Sequence, residues 1–529
     1  MHTKYIFVTG GVVSSLGKGI ISSSIGRLLQ SRGYRITIQK FDPYINIDPG
    51  TLNPYEHGEC YVTDDGFETD LDLGHYERFT DIHTTRDNSI TTGRIYQTVI
   101  DRERHGDYLG HTIQVVPHIT DEIKRRMLRR SDTEHYDFII TEVGGTIGDI
   151  ESAPFMEAIR QLRWELGKDA ISLHLTYVPY LKAAGELKTK PTQHSVKEMQ
   201  SMGIQPDILV LRTEHHLSEA LLDKVAMFCN VDKDCVVQSE DLPSIYQVPI
   251  RMHEQGLDQA ILRKVGITDA PEADLSAWEA FLNRMEAAKR HVSVGLVGKY
   301  DLQDAYKSIR ECLHQAGIYC DCKVDIRFIN SEHLTRENVE EQLSSLAGFI
   351  ICPGFGQRGI EGKIIAAEYG RTHHVPTFGI CLGMQMMVIE FARNVLGYAD
   401  ADSAEMASTL HNVIDLMASQ KAVTDMGGTM RLGAYACELR EGSKVREIYG
   451  KTVVRERHRH RYEFNSAYLE AYEAAGMQCV GKNPDSGLVE IVEIPAHPWY
   501  IGTQFHPEYS GTVLHPHPLF LSFLKKCLE

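Results

Sequence analysis

The sequence has no apolar run near the roughly 18 residues that a membrane-spanning helix needs, and its 529 residues contain no CxxC pair. Its 11 cysteines are scattered, and only Cys320 and Cys322 lie close together. Scattered thiols are typical of a reducing cytoplasm and not of a disulfide framework. The first residues also lack an apolar segment as long as that of a secretory signal. We therefore expect a cytoplasmic protein with no membrane partner.

Positive charge is also scarce, because 55 Lys and Arg residues stand against 72 Asp and Glu residues and give a net charge of −17. A net acidic chain repels phosphate at long range and is a poor general binder of nucleic acid. We therefore expect no nucleic-acid partner. If the substrates are polyphosphates, a few placed lysines and a metal ion must overcome that field locally. The hydrophobic fraction of 42% excludes wholesale disorder.

Short runs rich in β-branched residues alternate with helical patterns, which favours α/β layers around parallel sheets. These runs predict strands at residues 5–8, 35–39, 138–141, 171–177, 208–211, 292–297, 348–351 and 377–380. Residues 267–290 are instead typical of a linker with one helix, whose apolar face carries Trp278, Phe281, Leu282 and Met285. We predict two three-layer α/β domains with mainly parallel sheets, at residues 1–266 and 291–529.

A glycine-rich turn, GGVVSSLGKG at residues 10–19, follows the first predicted strand and precedes an apolar-periodic helix. Such a turn directs backbone N–H groups at phosphate oxygens, and Lys18 adds a positive charge. Five residues rather than four separate Gly11 from Gly17, and Gly19 stands where a Ser or Thr would hold Mg²⁺. The alternative is a turn that serves structure alone. If the turn binds phosphate, the metal needs carboxylates from elsewhere.

Acidic residues that could hold this metal follow in the sequence. Asp70 and Asp72 alternate, so they share one side of the chain if the segment is extended. Glu142 follows a buried-strand pattern, at the carboxyl end of a strand where open α/β sheets bind ligands. Mg²⁺ prefers hard oxygen ligands bridged to a triphosphate. Any one of these residues alone is more often a solvated charge, but with the glycine-rich turn they predict a magnesium site.

A second group of lysines, Lys188 and Lys190 in LKTKPTQHS, lies between predicted elements, and Lys224 follows later. A solvated basic loop is the simple alternative. Pro191 stiffens the loop, and the two lysines face the same way if the chain is extended. A second triphosphate is a plausible ligand. Asp149 and Glu151 would then supply acceptors for a base that displays an exocyclic amino group.

A thiol site is predicted at Cys381, which stands in the sequence GICLG between a predicted strand and an apolar helix. The flanking glycines permit a tight turn that exposes the thiol, and the helix N-terminus favours the thiolate. His506 and Glu508 point to one face if their segment is extended, so they could act as base and orienting carboxylate. The turn around Gly354 can direct N–H groups at an oxyanion. An isolated cysteine is more often inert packing, and these partners favour amide hydrolysis through a thioester.

The basic run RERHRHRY at residues 455–462 allows two interpretations. RNA binding is one, but the net charge is negative and stacking aromatics are not interleaved with the arginines. A local clamp for an anion or carboxylate is favoured, because guanidinium recognises carboxylate with two hydrogen bonds.

Together these residues resemble one family closely, the CTP synthases, which are glutamine-dependent amidoligases that convert UTP to CTP. The resemblance covers essentially the whole chain. It rests on the motifs GGVVSSLGKG (10–19), FDPYINIDPG (41–50), NPYEHG (53–58), ETDLDLGH (68–75), KTKPTQ (188–193), GICLG (379–383) and RHRHRY (457–462). The C-terminal domain separately resembles a class I glutamine amidotransferase. The resemblance implies a P-loop NTPase-like synthetase domain (1–266), a linker (267–290) and a glutaminase domain (291–529).

The resemblance also implies a reaction of pyrimidine biosynthesis. ATP phosphorylates the uracil O4 of UTP, and Cys381 releases ammonia from glutamine. The ammonia travels inside the protein and displaces the phosphate. Mg²⁺ and ATP are required, GTP activates glutamine hydrolysis, and CTP inhibits. The family assembles as homotetramers and also forms filaments.

Site residues carried over by resemblance fall into five groups. The catalytic residues are Cys381, His506 and Glu508. Residues for ATP are Ser15, Leu16, Gly17, Lys18, Gly19, Ile20, Lys40 and Asp72, and those for Mg²⁺ are Asp72 and Glu142. Residues for UTP and CTP are Ser14, Asp149, Ile150, Glu151, Lys188, Thr189, Lys190, Pro191, Thr192, Gln193 and Lys224. Residues for glutamine are Gly354, Leu382, Gly383, Met384, Gln385, Glu405 and Arg461. Arg358, Gly359 and Glu361 match an effector-linked loop.

One position departs from the family pattern around the oxyanion turn, which is Pro-Gly-Gly-Phe-Gly. This chain retains Gly354 but has Pro353 before it. Proline fixes φ and has no N–H group, so we expect this departure to affect the flexibility of the turn and its response to GTP more than the oxyanion contact. Cys60 lies where the family has its ammonia passage. Plain packing explains this thiol equally well.

Two rival functions differ from this hypothesis. The first is another P-loop amidoligase with a fused glutaminase, acting for example on a corrinoid carboxylate, but it would need no KTKPTQ-type loop. The second is a filament-forming structural protein with inactive sites. The presence of Lys18, Lys40, Asp72, Glu142, Cys381 and His506 argues against it.

Overall fold

The computed structural model describes residues 2–133, 135–417, 420 and 427–529. These residues form two compact units. The first unit comprises the chain up to Asp48 and Asp72–Leu282, and the second comprises Pro49–Leu71 and Asn283–Glu529. The division runs through the predicted linker, and it assigns an early segment of the chain to the second unit. The boundaries drawn from the sequence stay predictions.

The strands of the described residues are β1 (Lys4–Gly10), β2 (Ile36–Asp42), β3 (Tyr61–Val62), β4 (Glu68–Thr69), β5 (Ser89–Thr91), β6 (Phe138–Val143), β7 (Ala170–Tyr177), β8 (Tyr180–Leu181), β9 (Glu186–Leu187), β10 (Ile208–Thr213), β11 (Val236–Glu240), β12 (Arg290–Gly298), β13 (Cys322–Asn330), β14 (Gly348–Ile351), β15 (Thr377–Ile380), β16 (Asp402–Ser403), β17 (Asn412–Leu416), β18 (Arg431–Leu439), β19 (Val453–His460), β20 (Tyr462–Phe464), β21 (Gln478–Lys482), β22 (Val489–Glu493) and β23 (Tyr500–Thr503).

The α-helices are α1 (Lys18–Ser31), α2 (Pro54–His57), α3 (Asp72–Thr80), α4 (Thr92–His105), α5 (Thr120–Thr133), α6 (Ala153–Leu166), α7 (Lys190–Ser201), α8 (Glu219–Cys229), α9 (Val248–Glu254), α10 (Leu257–Lys264), α11 (Ser276–Ala287), α12 (Lys307–Tyr319), α13 (Val339–Leu343), α14 (Ile360–His373), α15 (Leu382–Phe391), α16 (Lys444–Tyr449), α17 (Leu469–Ala475) and α18 (Pro518–Cys527). No helix of the described residues is both long enough and apolar enough to cross a membrane.

The first unit is built on a seven-stranded sheet with the strand order β11-β10-β7-β1-β6-β2-β5. All of its strand pairs are parallel. Its central strands are buried on both faces, which explains their near-continuous apolar sequences. Because the strands are parallel, the loops after β1, β2 and β6 leave the same edge of the sheet. This edge carries the predicted phosphate and metal residues.

The second unit contains a nine-stranded sheet with the order β13-β12-β14-β15-β23-β22-β21-β18-β19. Strands β13 to β23 in this order pair in parallel, and the remaining strands pair antiparallel. The parallel part places the chain after β14, β15 and β23 at one edge. The eight predicted strands and the α/β class are confirmed.

Residues 49–71 pack within the second unit as a short helix and the β3-β4 hairpin. The Tyr61 hydroxyl donates to Tyr509 O at 2.9 Å, and the Tyr509 hydroxyl donates to Cys60 O at 3.0 Å. The Ser308 N–H donates to Glu59 Oε2 at 2.6 Å. These long-range contacts make the segment part of the core of this unit.

The helix predicted between residues 267 and 290 is confirmed as α11. Its Trp278 is fully buried, and the indole N–H donates to Tyr246 O at 2.8 Å. The rings of Phe79 and Phe281 lie 5.4 and 6.4 Å from the indole between centroids, and Tyr246 packs on Phe281 at 5.3 Å. The linker helix is therefore anchored on the first unit through its aromatic face.

Candidate active sites

The glycine-rich turn follows β1 and leads directly into α1, as the sequence predicts. Val12, Ser15 and Gly17 have positive φ values of 81°, 58° and 88°, so the backbone coils tightly before the helix begins. Lys18 is the first helical residue, and its Nζ donates to Gly145 O at 2.8 Å. Burial lowers the pKa of Lys18. The turn presents a helix N-terminus and an ammonium group to the same edge of the sheet.

A compact charged group forms beside this turn from Lys40, Asp72 and Glu142. Lys40 and Glu142 lie opposite each other on the neighbouring strands β2 and β6. Lys40 Nζ donates to Glu142 Oε1 at 3.0 Å and also pairs with Asp72. The Tyr76 hydroxyl donates to Glu142 Oε2. One buried ammonium group thus joins the two carboxylates predicted to hold a metal.

The carboxylates of this group differ in acidity. Burial raises the pKa of Asp72, but Lys40 and then His75 outweigh burial and lower it overall. Burial raises the pKa of Glu142 above its usual value, against the opposing effect of Lys40. The donor atoms are hard carboxylate oxygens, which fit Mg²⁺ and not a soft metal.

The expectation that Asp70 and Asp72 share one side of an extended segment is wrong. Strand β4 ends at Thr69, and helix α3 begins at Asp72. Asp72 belongs to the first unit, whereas Asp70 belongs to the second and has its carboxylate 3.7 Å from His57 Nδ1. A helix start overrides the strand-like alternation because Asp is favoured in the first turn of a helix.

The KTKPTQ segment is also not the loop that the sequence suggested. Helix α7 begins at Lys190, with Pro191 in its first turn, where proline is favoured. Gln193 Nε2 donates to Thr189 Oγ1 at 3.1 Å, and Thr192 Oγ1 donates to Tyr177 O at 3.1 Å. The segment therefore offers a helix N-terminus to an anion, and its lysines do not align along an extended chain.

The other residues predicted to contact UTP or CTP lie on exposed surface of the same unit. Lys188 forms an ion pair with Glu186, and Lys224 is exposed on α8. Asp149 Oδ2 accepts a hydrogen bond from Thr146 N at 2.8 Å. Ile150 and Glu151 are exposed beside it.

In the second unit, Cys381 lies at a strained turn between β15 and α15. Its φ of 52° and ψ of −105° are values that residues with a Cβ rarely adopt. Its N–H donates to Thr503 O of the neighbouring strand at 2.7 Å. The thiol therefore stands at the N-terminus of a helix, which favours the thiolate. This is the turn that the flanking glycines predict.

His506 and Glu508 follow β23, the parallel neighbour of β15. His506 Nδ1 lies 2.8 Å from Glu508 Oε1, and both side chains are buried. Burial lowers the pKa of His506, but the Glu508 carboxylate and Cys381 outweigh it and raise this pKa to about 10. The predicted contact is confirmed, although Pro507–Tyr509 forms a 3₁₀ turn and not an extended segment.

A cavity of about 470 Å³ opens beside the Cys381 thiol. Its lining includes Gly354, Leu382, Gln385, Glu405 and Arg461. Gly356 N donates to Glu405 Oε1 at 2.9 Å, and Arg461 donates to Gln420 Oε1 at 2.8 Å. Burial raises the pKa of Glu405. A carboxylate and a guanidinium group facing one pocket suit the ammonium and carboxylate groups of an amino acid.

A second cavity of about 180 Å³ also borders Cys381. His506, Cys60, Tyr300 and Ile309 are among its lining residues. Gly50, Gly354, Phe355, Cys381 and Arg459 line both cavities. Cys381 thus borders both cavities, and its base His506 borders the smaller one, which has room for a few small molecules.

The arginine run lies on β19 and binds carboxylates of the chain itself. Arg457 pairs with Asp64, and Arg459 Nε donates to Glu68 Oε1 at 2.8 Å. Arg459 also donates to Gly50 O at 3.0 Å. The carboxylate-clamp interpretation is thus confirmed for these two arginines. The sequence did not reveal the partners, because more than 380 residues separate them in the chain.

Sequence reasoning missed Lys363, which is fully buried on α14. Its Nζ donates to Cys352 O at 2.6 Å and to Pro353 O at 3.4 Å, beneath the turn that carries Gly354. Burial lowers the pKa of Lys363 to about 7. A lysine within a helix gives no sequence signal of such burial.

Comparison with known proteins decides the family. The family model described as CTP synthase N-terminus matches residues 4–267, and that described as Glutamine amidotransferase class-I matches residues 301–526. A CTP synthase of Bacteroides thetaiotaomicron is 69% identical over 100% of this chain and 99% of the relative. The chain belongs to the CTP synthase family.

Another CTP synthase, from Porphyromonas gingivalis, is 62% identical over 100% of this chain and 98% of its own length. A solved structure of the glutaminase domain of a Trypanosoma brucei CTPS, with bound acivicin, is 36% identical. It covers 45% of this chain and 94% of that chain, with a TM-score of 0.43. The predicted family is confirmed, and the enzyme class of a CTP synthase is a ligase that forms C–N bonds.

Proposed function

We propose that this chain aminates UTP to CTP, using ATP and the amide nitrogen of glutamine, as a step of pyrimidine nucleotide synthesis. The observation that carries the proposal is the Cys381 turn beside the His506–Glu508 pair, facing a cavity whose lining includes Glu405 and Arg461, in a full-length member of the CTP synthase family. The group of Lys18, Lys40, Asp72 and Glu142 in the first unit supplies the kinase half of the reaction.

Glutamine hydrolysis begins when the Cys381 thiolate attacks the side-chain carbonyl carbon of glutamine. Backbone N–H groups of the Gly354 turn and of α15 stabilise the resulting oxyanion. His506 then gives a proton to the leaving nitrogen, so ammonia departs and a thioester remains. A water molecule that loses a proton to His506 hydrolyses the thioester, which releases glutamate and restores the thiolate. Glu508 keeps the imidazole oriented throughout.

Glutamine is proposed to bind with Gly354, Leu382, Gly383, Met384, Gln385, Glu405 and Arg461. The lining of the larger cavity supports most of this set, since it includes Gly354, Leu382, Gln385, Glu405 and Arg461. Glu405 would accept hydrogen bonds from the substrate ammonium group, and Arg461 would bind its carboxylate.

In the synthetase half, the ATP γ-phosphoryl group is transferred to the uracil O4, which turns a poor leaving group into phosphate. Ammonia then attacks C4, and the phosphate departs. Residues 15–20 with Lys40 and Asp72 are proposed to bind ATP. Ser14, residues 149–151, residues 188–193 and Lys224 are proposed to bind UTP, and CTP as an inhibitor. The N-terminus of α7, with Lys190 in its first turn, supports a triphosphate ligand there.

Asp72 and Glu142 are proposed to hold Mg²⁺. Their carboxylates, of which that of Glu142 is buried, already gather around one cation, the Lys40 ammonium group. A bound Mg²⁺ would neutralise phosphate charge during the transfer. Lys18 and Lys40 would position the triphosphate beside it.

Ammonia is proposed to leave Cys381 through the smaller cavity. Its lining, which includes Cys381, His506 and Cys60, supports this route. The small side chain of Cys60 leaves space for a small neutral molecule.

GTP is proposed as an activator of the glutaminase, acting through the loop of Arg358, Gly359 and Glu361. Arg358 lies over the rings of Tyr55 and Tyr300, at 5.9 and 5.4 Å from their centroids. Effector binding at this loop could therefore act on the segment 49–71. Whether Pro353 limits this response is tested by measuring glutamine hydrolysis with and without GTP.

Assembly as a homotetramer, and further into filaments, is also proposed. Exposed apolar side chains in the first unit, including Ile100, Leu109, Val115 and Val116, support a protein interface. None of the eleven cysteines, all of which lie among the described residues, forms a disulfide. This supports a cytoplasmic location. Mass photometry of the purified protein would test the tetramer.

The function is tested by Cys381→Ala with two nitrogen sources. We expect CTP formation from glutamine to be abolished and formation from added ammonium to be retained, followed by the absorbance change from UTP to CTP. Equal loss with both sources would contradict the role given to the thiol. If the parent enzyme does not convert UTP at all, the rival function is favoured, which is an amidoligase that acts on a carboxylate and not on UTP.

A further inference from the structure

Gln504 is a fully buried side chain that none of the steps above uses. It follows β23 directly, two residues before the catalytic His506. Its backbone N–H donates to Glu490 O at 2.8 Å, which fixes the backbone next to the neighbouring strand β22. Its side chain extends to the reacting sulfur, since Gln504 Nε2 lies 3.7 Å from Cys381 Sγ. This is a hydrogen-bonding distance for a sulfur acceptor.

The orientation of the Gln504 amide follows from its neighbours. Gln385 Nε2 lies 3.0 Å from Tyr462 O and 3.2 Å from Gln504 Oε1. A backbone carbonyl can only accept, so the end of Gln385 that faces Tyr462 must be its NH₂ group. That group then donates to the Gln504 oxygen as well. The NH₂ group of Gln504 is thereby turned towards Cys381.

The resulting chain of hydrogen bonds runs from Tyr462 O through Gln385 and Gln504 to the sulfur of Cys381. Gln385 and Tyr462 line the cavity proposed for glutamine. Arg459 O lies 3.7 Å from the same sulfur and can only accept, so it suits the protonated thiol. Gln504 can only donate from its nitrogen, so it suits the thiolate. The two contacts therefore favour opposite protonation states of Cys381.

We propose that Gln504 is a further catalytic residue of the glutaminase, whose side-chain N–H donates to the Cys381 thiolate and holds the sulfur in the attacking position. This inference rests on the proposed function of Cys381. A buried donor favours the charged form of its acceptor. Because Gln385 borders the substrate cavity, the same chain of bonds connects an occupied cavity to the nucleophile.

Other charged groups near the thiol come from separate elements. They include His506 and Glu508 after β23, Arg459 on β19 and Lys363 on α14. The test must therefore change Gln504 and leave these groups unaltered. Gln504→Leu removes the donor at nearly constant volume. Gln504→Glu retains the shape but places a carboxyl group beside the sulfur.

The experiment measures how fast iodoacetamide alkylates Cys381 as a function of pH, followed on the Cys381 peptide by mass spectrometry. For Gln504→Leu we expect the midpoint of the profile to move up by about one pH unit, which is a tenfold smaller thiolate fraction below the midpoint. The kcat for glutamine hydrolysis should fall roughly 10- to 100-fold, with KM for glutamine changed by less than about threefold. Gln504→Glu should move the midpoint further in the same direction.

Gln39→Leu is the matched control, because Gln39 is also fully buried and lies on β2 of the first unit. It should keep the parental alkylation profile. An unchanged midpoint in Gln504→Leu and Gln504→Glu would overturn the inference, as would a rise in KM at constant kcat. If the thermal unfolding of Gln504→Leu shows that this variant does not fold, the alkylation profile of Gln504→Glu is used to test the inference. The role proposed for Cys381 fails by a separate result, which is glutamine hydrolysis by the parent enzyme after complete alkylation of Cys381.

Discussion

At the scale of single residues, the second unit keeps several unfavourable features at its reaction centre. Cys381 has a positive φ, Lys363 is buried as a lysine, and His506 shares a buried contact with Glu508. The strained backbone of Cys381 and the buried amine of Lys363 each cost folding free energy that a non-functional site would not retain. Their concentration around one thiol is the physical signature of a catalytic site.

The strained backbone of Cys381 predicts an unusual order of stability between two inactive variants. Glycine adopts a φ of 52° without strain, whereas alanine does not. We expect Cys381→Gly to unfold at a temperature roughly 3 °C above that of Cys381→Ala, measured by calorimetry. Cys437 is an equally buried cysteine in the regular strand β18 and serves as the control. At position 437 we expect the alanine variant to be more stable than the glycine variant. If Cys381→Ala were likewise more stable than Cys381→Gly, the inferred backbone strain at Cys381 would be contradicted.

The burial of Lys363 leads us to expect that this residue changes the free energy of unfolding in a pH-dependent way. Burial lowers its pKa to about 7 from an ordinary 10.5, so the unfolded chain holds this proton more tightly. The lysine therefore destabilises the folded state most below about pH 7, and this penalty shrinks as the pH rises to about 10. Lys363→Met should raise the Tm by roughly 4 °C near pH 6.5 and by clearly less near pH 9.5.

The control for this effect is Lys323→Met, which changes an exposed lysine on β13. Its Tm difference from the parent should be small and independent of pH. A Lys363→Met difference that stays constant across the same range would show that the buried lysine keeps an ordinary affinity for its proton.

At the scale of elements, segment 49–71 is attached to β19 by two ion pairs, in which the Arg457 and Glu68 side chains are buried. Arg459 holds both Glu68 and Gly50 O, and Gly50 lines both cavities beside the thiol. Removing one partner of a buried pair leaves the other charge uncompensated, at a cost of about 3–5 kcal/mol. The attachment of this segment therefore shapes the glutaminase site.

Glu68→Gln should loosen this segment without removing a catalytic group. We expect faster hydrogen exchange in residues 50–70 and a fall in kcat/KM for glutamine hydrolysis of about tenfold or more. Asp65→Asn removes a more exposed carboxylate from the same segment and should change neither measurement appreciably. Unchanged exchange in Glu68→Gln would contradict the attachment.

The sequence predicted those elements that depend on local pattern. Apolar runs predict the buried parallel strands, and the flanking glycines predict the tight turn at Cys381. The sequence could not predict that Asp72 begins a helix or that Lys190 does, because a strand-like alternation and a helix N-terminus share residue types there. Nor could it place Glu68 against Arg459 or Gln504 against Cys381, since those contacts depend on tertiary packing and not on spacing along the chain.

At the scale of the whole molecule, two units carry two different chemistries that one reaction requires. The first unit gathers a glycine-rich turn, carboxylates and lysines at one sheet edge, and the second gathers the Cys381 thiol, the His506–Glu508 pair and the cavity proposed for glutamine. Family membership over the full chain connects these sites in one function. Loss of either site should therefore have a different and recognisable effect on the overall reaction.

Lys18→Ala is expected to remove CTP formation from glutamine and from ammonium alike. The ammonium group at the start of α1 is proposed to bind the transferred phosphate, and both nitrogen sources need that transfer. Lys182→Ala, at an exposed position of the same unit, should retain both activities. Ammonium-dependent synthesis that survives in Lys18→Ala would show that the glycine-rich turn is not the kinase site.

The central claim is that the nitrogen released at the thiol becomes the amino group of the nucleotide. Its most direct test supplies the parent enzyme with UTP, MgATP and glutamine labelled with ¹⁵N at the amide, and examines the nucleotide product by NMR. The account predicts CTP that carries the label on the nitrogen bound to C4. Unlabelled CTP, or labelled ammonia with UTP left unconverted, would contradict it.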